Sequence, residues 1–271
     1  MRRFDGYLLV SDFDGTLIDH QSRISSENVA AIRSFVAEGG VFVGATGRTE
    51  LNVRPYTDGI ALSAPWILYN GAAIYDWEKA RFIYKAPLDR RLGEAFLSRV
   101  MECFTDVNVQ VFSGGPYSQV NPGARPDAQA VREEQHYENR PMSAIGDDWL
   151  KVLFCSEFPE ELDAIEALLD NDPLRREVHK MRSGRRYFEL TAQGVNKGSA
   201  LAHLKTLLRP PPRTVVAIGD YPNDIEMLQE ADIAAAPQSA MAEVKRHARI
   251  ITADHRQSAV ADLIRRLEEI H

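Results

Sequence analysis

Tyr7-Leu8-Leu9-Val10-Ser11-Asp12-Phe13-Asp14-Gly15-Thr16-Leu17 is the stretch on which the fold turns. Tyr7 to Ser11 is a short apolar, β-rich run that leads straight into two carboxylates two positions apart. An apolar run without alternation reads as a strand buried on both faces, as in parallel sheets covered by helices. Asp12 and Asp14 then stand at the carboxyl end of a central strand, the edge where open α/β sheets bind ligands. Taken alone, Asp14-Gly15 need be no more than a turn, because Asp tolerates that backbone geometry and Gly favours it.

Val41 to Ala45 and Trp66 to Tyr69 are further apolar runs ending at polar or glycine residues. Between the first two runs the sequence predicts a helix from a Ser25 or Ser26 cap through Val29, Ile32 and Val36 to a Gly39-Gly40 stop, which completes a βαβ unit. The same grammar returns after about Tyr187. A helix with Leu201, Leu204 and Leu208 on one face precedes a strand at Val215 to Ile218 and a helix through Ile225 and Leu228. A last strand, Arg249 to Thr252, leads to a helix carrying Val260, Leu263, Ile264 and Leu267. The expectation is an α/β protein whose core, residues 1–80 and 187–271, holds a doubly wound, Rossmann-like parallel sheet. Residues 81–186 are expected to form an inserted α/β cap domain. It has a helix at Asp89 to Phe104, strands at Val107 to Phe112 and Lys151 to Cys155, and a helix opened by Pro159 with Leu162, Ile165 and Leu168. Ser113 to Asp148, with Gly-Gly-Pro, Asn-Pro-Gly and Arg-Pro-Asp turns, is too polar and broken to assign.

The bulk numbers narrow the function. A chain of 271 residues with 44% hydrophobic residues has the composition of an ordinary globular protein. Its longest apolar runs fall far short of the ~20 residues that span a bilayer, so no membrane association is expected. The two basic residues at the start are followed by only a short apolar run before Asp12, unlike a secretory signal, so a cytoplasmic location is expected. A formal net charge of −7 with the two signs interspersed argues against nucleic acid as a partner and favours a small molecule. Cys103 and Cys155 lie in apolar stretches without a Cys-x-x-Cys or Cys/His cluster, which predicts reduced, buried thiols and no zinc site.

Other strands deliver polar residues to the edge that holds Asp12: Thr46 with Gly47-Arg48, and Asp220 after Val215 to Gly219. Converging carboxylates repel one another unless a cation sits among them, and an all-oxygen ligand set favours a hard ion such as magnesium. A hard cation there also cancels repulsion against an anionic substrate, which makes a phosphate ester the natural partner. Lys197 precedes a helix, where its charge opposes the dipole by about 0.3–1 kcal/mol when exposed. A placed anion removes that objection; the plain alternative is a lysine extended into solvent. Asn223 suits an N-cap, Asp224 a first turn, and Glu226 could complete a capping box. Asp224 would lie about one turn from Asp220, so that both could face one ion.

Five pieces now stand in order. They are Asp12-Phe13-Asp14-Gly15-Thr16-Leu17, Ala45-Thr46-Gly47-Arg48, Asn70-Gly71-Ala72, Gly194-Val195-Asn196-Lys197-Gly198, and Gly219-Asp220-Tyr221-Pro222-Asn223-Asp224-Ile225-Glu226-Met227-Leu228. In these the chain resembles the haloacid dehalogenase superfamily, and within it the Cof-type, sugar-phosphatase-like branch with a large α/β cap. The resemblance implies a Mg2+-dependent phosphomonoester hydrolase acting on a small phosphorylated metabolite, with Asp12 as the nucleophile that forms an aspartyl phosphate and Asp14 as the acid/base. It implies that Asp12, Asp220 and the Asp14 backbone carbonyl hold the ion, with Asp224 as a ligand or support. Thr46 and Lys197 would position the phosphoryl group, Gly47 and amides near Phe13 would approach its oxygens, and Asn223 would orient Asp224 or Lys197. Arg48 and Asn70 on the core side, and Arg182, Arg185, Arg186, His136 and His179 in the cap, are candidates for the rest of the substrate. Family members often have Ser where this chain has Tyr221, and Arg185-Arg186-Tyr187 is unusually basic. The competing readings are a phosphomutase or other phosphotransferase and a phospho-receiver signalling module. Asp14 and the large insertion argue for turnover and against the receiver.

Overall fold

The computed structural model of the chain describes residues 2–57, 59–60, 62 and 64–270. Its strands in chain order are β1 (Tyr7–Asp12), β2 (Val41–Ala45), β3 (Trp66–Leu68), β4 (Ala73–Asp76) and β5 (Arg81–Lys85). Then come β6 (Asn108–Phe112), β7 (Tyr117–Gln119), β8 (Tyr137–Asn139), β9 (Lys151–Cys155), β10 (Val178–Gly184) and β11 (Tyr187–Ala192). The last are β12 (Thr214–Ile218), β13 (Ile233–Pro237) and β14 (Ile250–Thr252). They build an eight-stranded sheet in the order β14-β13-β12-β1-β2-β3-β4-β5 and a six-stranded sheet in the order β10-β11-β9-β6-β7-β8.

In the first sheet β1 lies between β12 and β2, parallel to both, with Ser11 opposite Ile218 on one side and Gly44 on the other. Strand order runs outward from β1 in both directions, so the end of β1 is the topological switch point of a doubly wound sheet. Leu8, Leu9 and Val10 are fully buried, as an unalternated apolar run requires. Helix Ser26–Ala37 starts where Ser25 accepts a hydrogen bond from the Asn28 amide, and it packs against helix Ala259–Ile270. Among the described residues no helix is long and apolar enough to cross a membrane.

The chain divides into two compact units, residues 1–47, 53–83 and 196–271, and residues 48–52 with 84–195. β11 belongs to the second unit, where it runs antiparallel to β9 and β10, so the chain regains the first unit only at Asn196 and not at 187. The sequence placed β11 with the core because its apolar residues look the same in either sheet. Within the second unit, Val109, Phe154 and Phe188 of the sheet pack with Phe96, Leu97 and Ile165 of helices Arg90–Cys103 and Pro159–Asp170. The unassigned 113–148 stretch contains β7, a short helix Ala128–Arg132 and β8. Cys155 is buried as expected, but Cys103 is exposed: it is the last residue of its helix, beyond the buried stripe of Phe96, Leu97 and Val100.

Candidate active site

Asp12 is the last residue of β1 and is buried, only 5% exposed. The Lys197 ammonium, 1% exposed, donates to Asp12 Oδ1 at 2.5 Å and to Asp224 Oδ1 at 2.7 Å. Lys197 therefore does not extend into solvent. It opens helix Lys197–Leu207, whose N-cap Asn196 accepts from the Ser199 amide while the Ser199 hydroxyl accepts from the Asn196 amide. This capping box satisfies helix-end donors, and the two carboxylates outweigh the unfavourable dipole.

Asp220 follows β12. Its Oδ1 accepts from the Thr16 hydroxyl at 3.1 Å, and a Cβ placed on Gly15, at φ +81°, would come 2.5 Å from its Oδ2. Gly15 thus supplies both a left-handed turn and the space that Asp220 occupies. Asp224 is fully buried, and its Oδ2 accepts from the amides of Asp220 and Tyr221 at 3.0 and 3.1 Å. The capping role expected of Asn223 is not realised. Tyr221 caps the short turn Pro222–Asp224, and the Asn223 side-chain nitrogen instead donates to Asn70 Oδ1 at 3.1 Å.

One carboxylate oxygen from each of Asp12, Asp220 and Asp224 lies within 4.8 Å of the others. Lys197 is the ammonium bonded into this cluster. Burial, and then repulsion from Asp224, pushes Asp12 up to about 7 against the pull of Lys197. Burial and the charges of Asp12 and Asp224 raise Asp220 well above the usual carboxylate range. Burial works against the Lys197 charge, but Asp12 and Asp224 overcome it and raise its pKa. Among the described residues Asp12 Oδ2 is buried without a hydrogen-bond partner, an arrangement costly to keep unless something binds there. Excess negative charge, oxygen-only donors and an orphaned carboxylate oxygen together fit a hard divalent cation.

Phe13 is buried, with its ring edge-on to Tyr56 and 6.2 Å from Trp66, so its contribution to a ligand is confined to its backbone. Asp14 is exposed beside the cluster and forms an isolated bridge with Ile18. Thr46 follows β2; its amide donates to Ile67 and its carbonyl accepts from the Asn70 amide. A Cβ on Gly47 would sit 2.9 Å from the Asn70 side-chain nitrogen. Arg48 belongs to the second unit, where Glu133 binds its guanidinium through two bonds of 2.7 and 3.1 Å, with both side chains buried. Of the cap candidates, Arg182 is engaged by Asp163 and Glu166, Arg186 pairs with Glu157, and His136 is exposed. The motifs contain Thr16 and Asn196 without giving either a role: their partners, Asp220 and Ser199, are visible only once strands and helix ends are placed.

The family model for haloacid dehalogenase-like hydrolases matches residues 9–264. The 5-amino-6-(5-phospho-D-ribitylamino)uracil phosphatase YwtE of Bacillus subtilis is 26% identical, over 94% of this chain and 96% of its own length. A second phosphatase of that name from the same organism, YcsE, is 29% identical over 95% of this chain and 94% of its own. A haloacid dehalogenase-like hydrolase from Bacteroides thetaiotaomicron superposes with a TM-score of 0.84 at 25% identity, covering 97% of this chain and 99% of that one. With β1, β2 and β12 converging on Asp12 and the family match spanning nearly the whole length, the chain belongs to the haloacid dehalogenase-like hydrolases, as an enzyme of their phosphatase branch.

Proposed function

We propose that the chain is a magnesium-dependent phosphomonoester hydrolase that acts on small phosphorylated metabolites through an aspartyl-phosphate intermediate on Asp12. The carrying observation is Asp12 itself, buried among carboxylates with one oxygen held by Lys197 and the other, among the described residues, without a hydrogen-bond partner. Asp12 and Asp220 would hold the cation with the Asp14 carbonyl. Asp224, whose oxygens already accept from Lys197 and two amides, supports the site. A bound divalent ion would neutralise charge on the phosphoryl oxygens.

The residues then divide the work. Asp12 attacks phosphorus while the ester P–O bond breaks, and the departing alkoxide takes a proton from the Asp14 carboxyl group. Asp14, now a carboxylate, removes a proton from water; that oxygen attacks the aspartyl phosphate, releasing inorganic phosphate and restoring Asp12. Lys197 and Thr46 steady the phosphoryl oxygens, since phosphoryl transfer leaves the protein mainly positioning and charge stabilisation. The names of two relatives, both phosphatases of a phosphorylated ribityl group, support polyol phosphates as the first substrates to try.

The test is phosphate release from a panel of such esters and a simple aryl phosphate, by wild type and Asp12→Asn, each with magnesium and with chelator. Wild-type turnover that needs magnesium and vanishes in Asp12→Asn is expected, together with a phosphorylated Asp12 trapped by rapid quench. Turnover surviving in Asp12→Asn refutes the nucleophile. Isomerised sugar phosphate without phosphate release would establish a mutase.

A further inference from the structure

The turn Tyr69–Gly71 after β3 carries two successive non-glycine residues in the left-handed region, Tyr69 at φ 53° and Asn70 at φ 54°, followed by Gly71 at φ 101°. Such conformations persist only where surrounding contacts over-determine them. Here the contacts reach three different loops of the candidate site. The Asn70 amide donates to the Thr46 carbonyl at 2.9 Å, and Gly47 lies so close that a Cβ on it would be 2.9 Å from the Asn70 side-chain nitrogen. Gly71 abuts the start of the lysine helix: a Cβ there would be 2.2 Å from the Asn196 carbonyl oxygen and 3.1 Å from the Lys197 nitrogen. The Asn70 carboxamide oxygen accepts from Asn223, the neighbour of Asp224, at 3.1 Å.

Sheet order makes the last contact informative. β12 and β3 are separated by β1 and β2, three steps of about 4.8 Å, or roughly 14 Å. For their following loops to meet, both must lean across the ends of β1 and β2, where Asp12 and Thr46 stand. The Asn70 amide group is buried, 1% exposed, and its oxygen serves Asn223. That oxygen is therefore committed to another loop of the protein.

We infer that Asn70 is a positioning residue: through its bond to Asn223 and its left-handed turn it sets Thr46, Lys197 and the Asp220–Asp224 loop at one mutual spacing, so that a single phosphate group meets all of them together. The inference rests on the phosphatase reading and deepens it. The Asn70 side chain acts through Asn223 and its backbone through the turn and the bond to Thr46.

A double-mutant cycle tests it. Asn70→Gly keeps the backbone free to adopt positive φ while removing the bridging amide; Asn223→Ala removes the other half. Inorganic phosphate affinity in the presence of magnesium is measured by calorimetry, kcat and KM by phosphate release, and folding by thermal unfolding. Because misplacing groups by about 1 Å can cost on the order of 10²-fold, each single variant is expected to lose about 10–100-fold in phosphate affinity or kcat. The double variant is expected to lose no more than either single one, as for two residues that act only through each other. Additive losses, or an Asn70→Gly protein with wild-type phosphate affinity and kcat, overturn the inference. If wild type turns over no phosphate ester, the phosphatase reading falls while the phosphate-affinity cycle still decides the bridge. If wild type turns over and the cycle is additive, the bridge alone falls. Failure of wild type to bind phosphate overturns both.

Discussion

Lys197 shows how a single charge can organise a site. Its ammonium bonds to both Asp12 and Asp224, so removing it leaves buried carboxylates uncompensated. Breaking a buried pair by deleting one partner costs about 3–5 kcal/mol. Lys197→Met should therefore be destabilised by about that much in chelator, and by less in magnesium, which offsets the same negative charge. Urea unfolding in the two buffers checks it, and an equal loss in both would mean that Lys197 and the cation do not share this charge. Asp14 makes the opposite case. It is exposed, so Asp14→Asn should change stability by no more than about 0.5 kcal/mol while lowering kcat about 10²–10⁴-fold. Calorimetry should find magnesium affinity little changed. The sequence placed both residues by motif, yet it left Lys197 free to be a solvated lysine. The reason is physical: its partners lie 185 and 27 residues away in the chain, and no local pattern encodes such a pairing.

At the scale of elements, the strands nearest the site were legible because β1, β2 and β12 are unalternated apolar runs with polar ends. β13 was passed over: Ile233-Ala234-Ala235-Ala236-Pro237 has little of the β-branched or aromatic character that marks a strand, and its pairing with β12 and β14 decides its conformation. β7 and β8, of three residues each, are too short for periodicity to register. The Asn223 loop had the composition of a helix cap, and the tertiary bond to Asn70 took the side chain instead. Turns and caps also give sharp predictions. Gly15→Ala must force a Cβ to within 2.5 Å of Asp220 at φ +81°. It should lose magnesium affinity and activity together, and a Gly15→Ala protein with wild-type affinity would show that this loop yields freely. Asn196→Ala removes the cap of helix Lys197–Leu207, at a cost of about 0.5–2 kcal/mol. A fall in kcat beyond what the unfolded fraction explains is expected as well, since the helix carries Lys197 on its first turn.

For the whole molecule, the cluster of acids ties folding stability to pH and, under the proposed reading, to a bound cation. Burial, and after it repulsion from Asp224, raises Asp12 from its ordinary value of 3.8 to about 7, and Asp220 is raised as well. A carboxyl group with a higher pKa in the folded state than in the unfolded one holds more protons when folded across that window. Stability from these groups is therefore present at low pH and is lost as pH rises towards 7. Cation binding at these carboxylates would reverse the trend, because it needs them ionised and compensates them. The rise in melting temperature on adding magnesium should thus be small near about pH 5 and large near about pH 8, with protons released on binding at the lower pH. Thermal unfolding across that range, paired with calorimetry in buffers of different ionisation enthalpy, measures both quantities. Asp220→Asn provides the control: with one acid fewer, the loss of stability with rising pH should shrink and the magnesium shift should fall with it. A magnesium shift independent of pH, or one greatest in acid, would show that the ion binds somewhere other than among Asp12, Asp220 and Asp224.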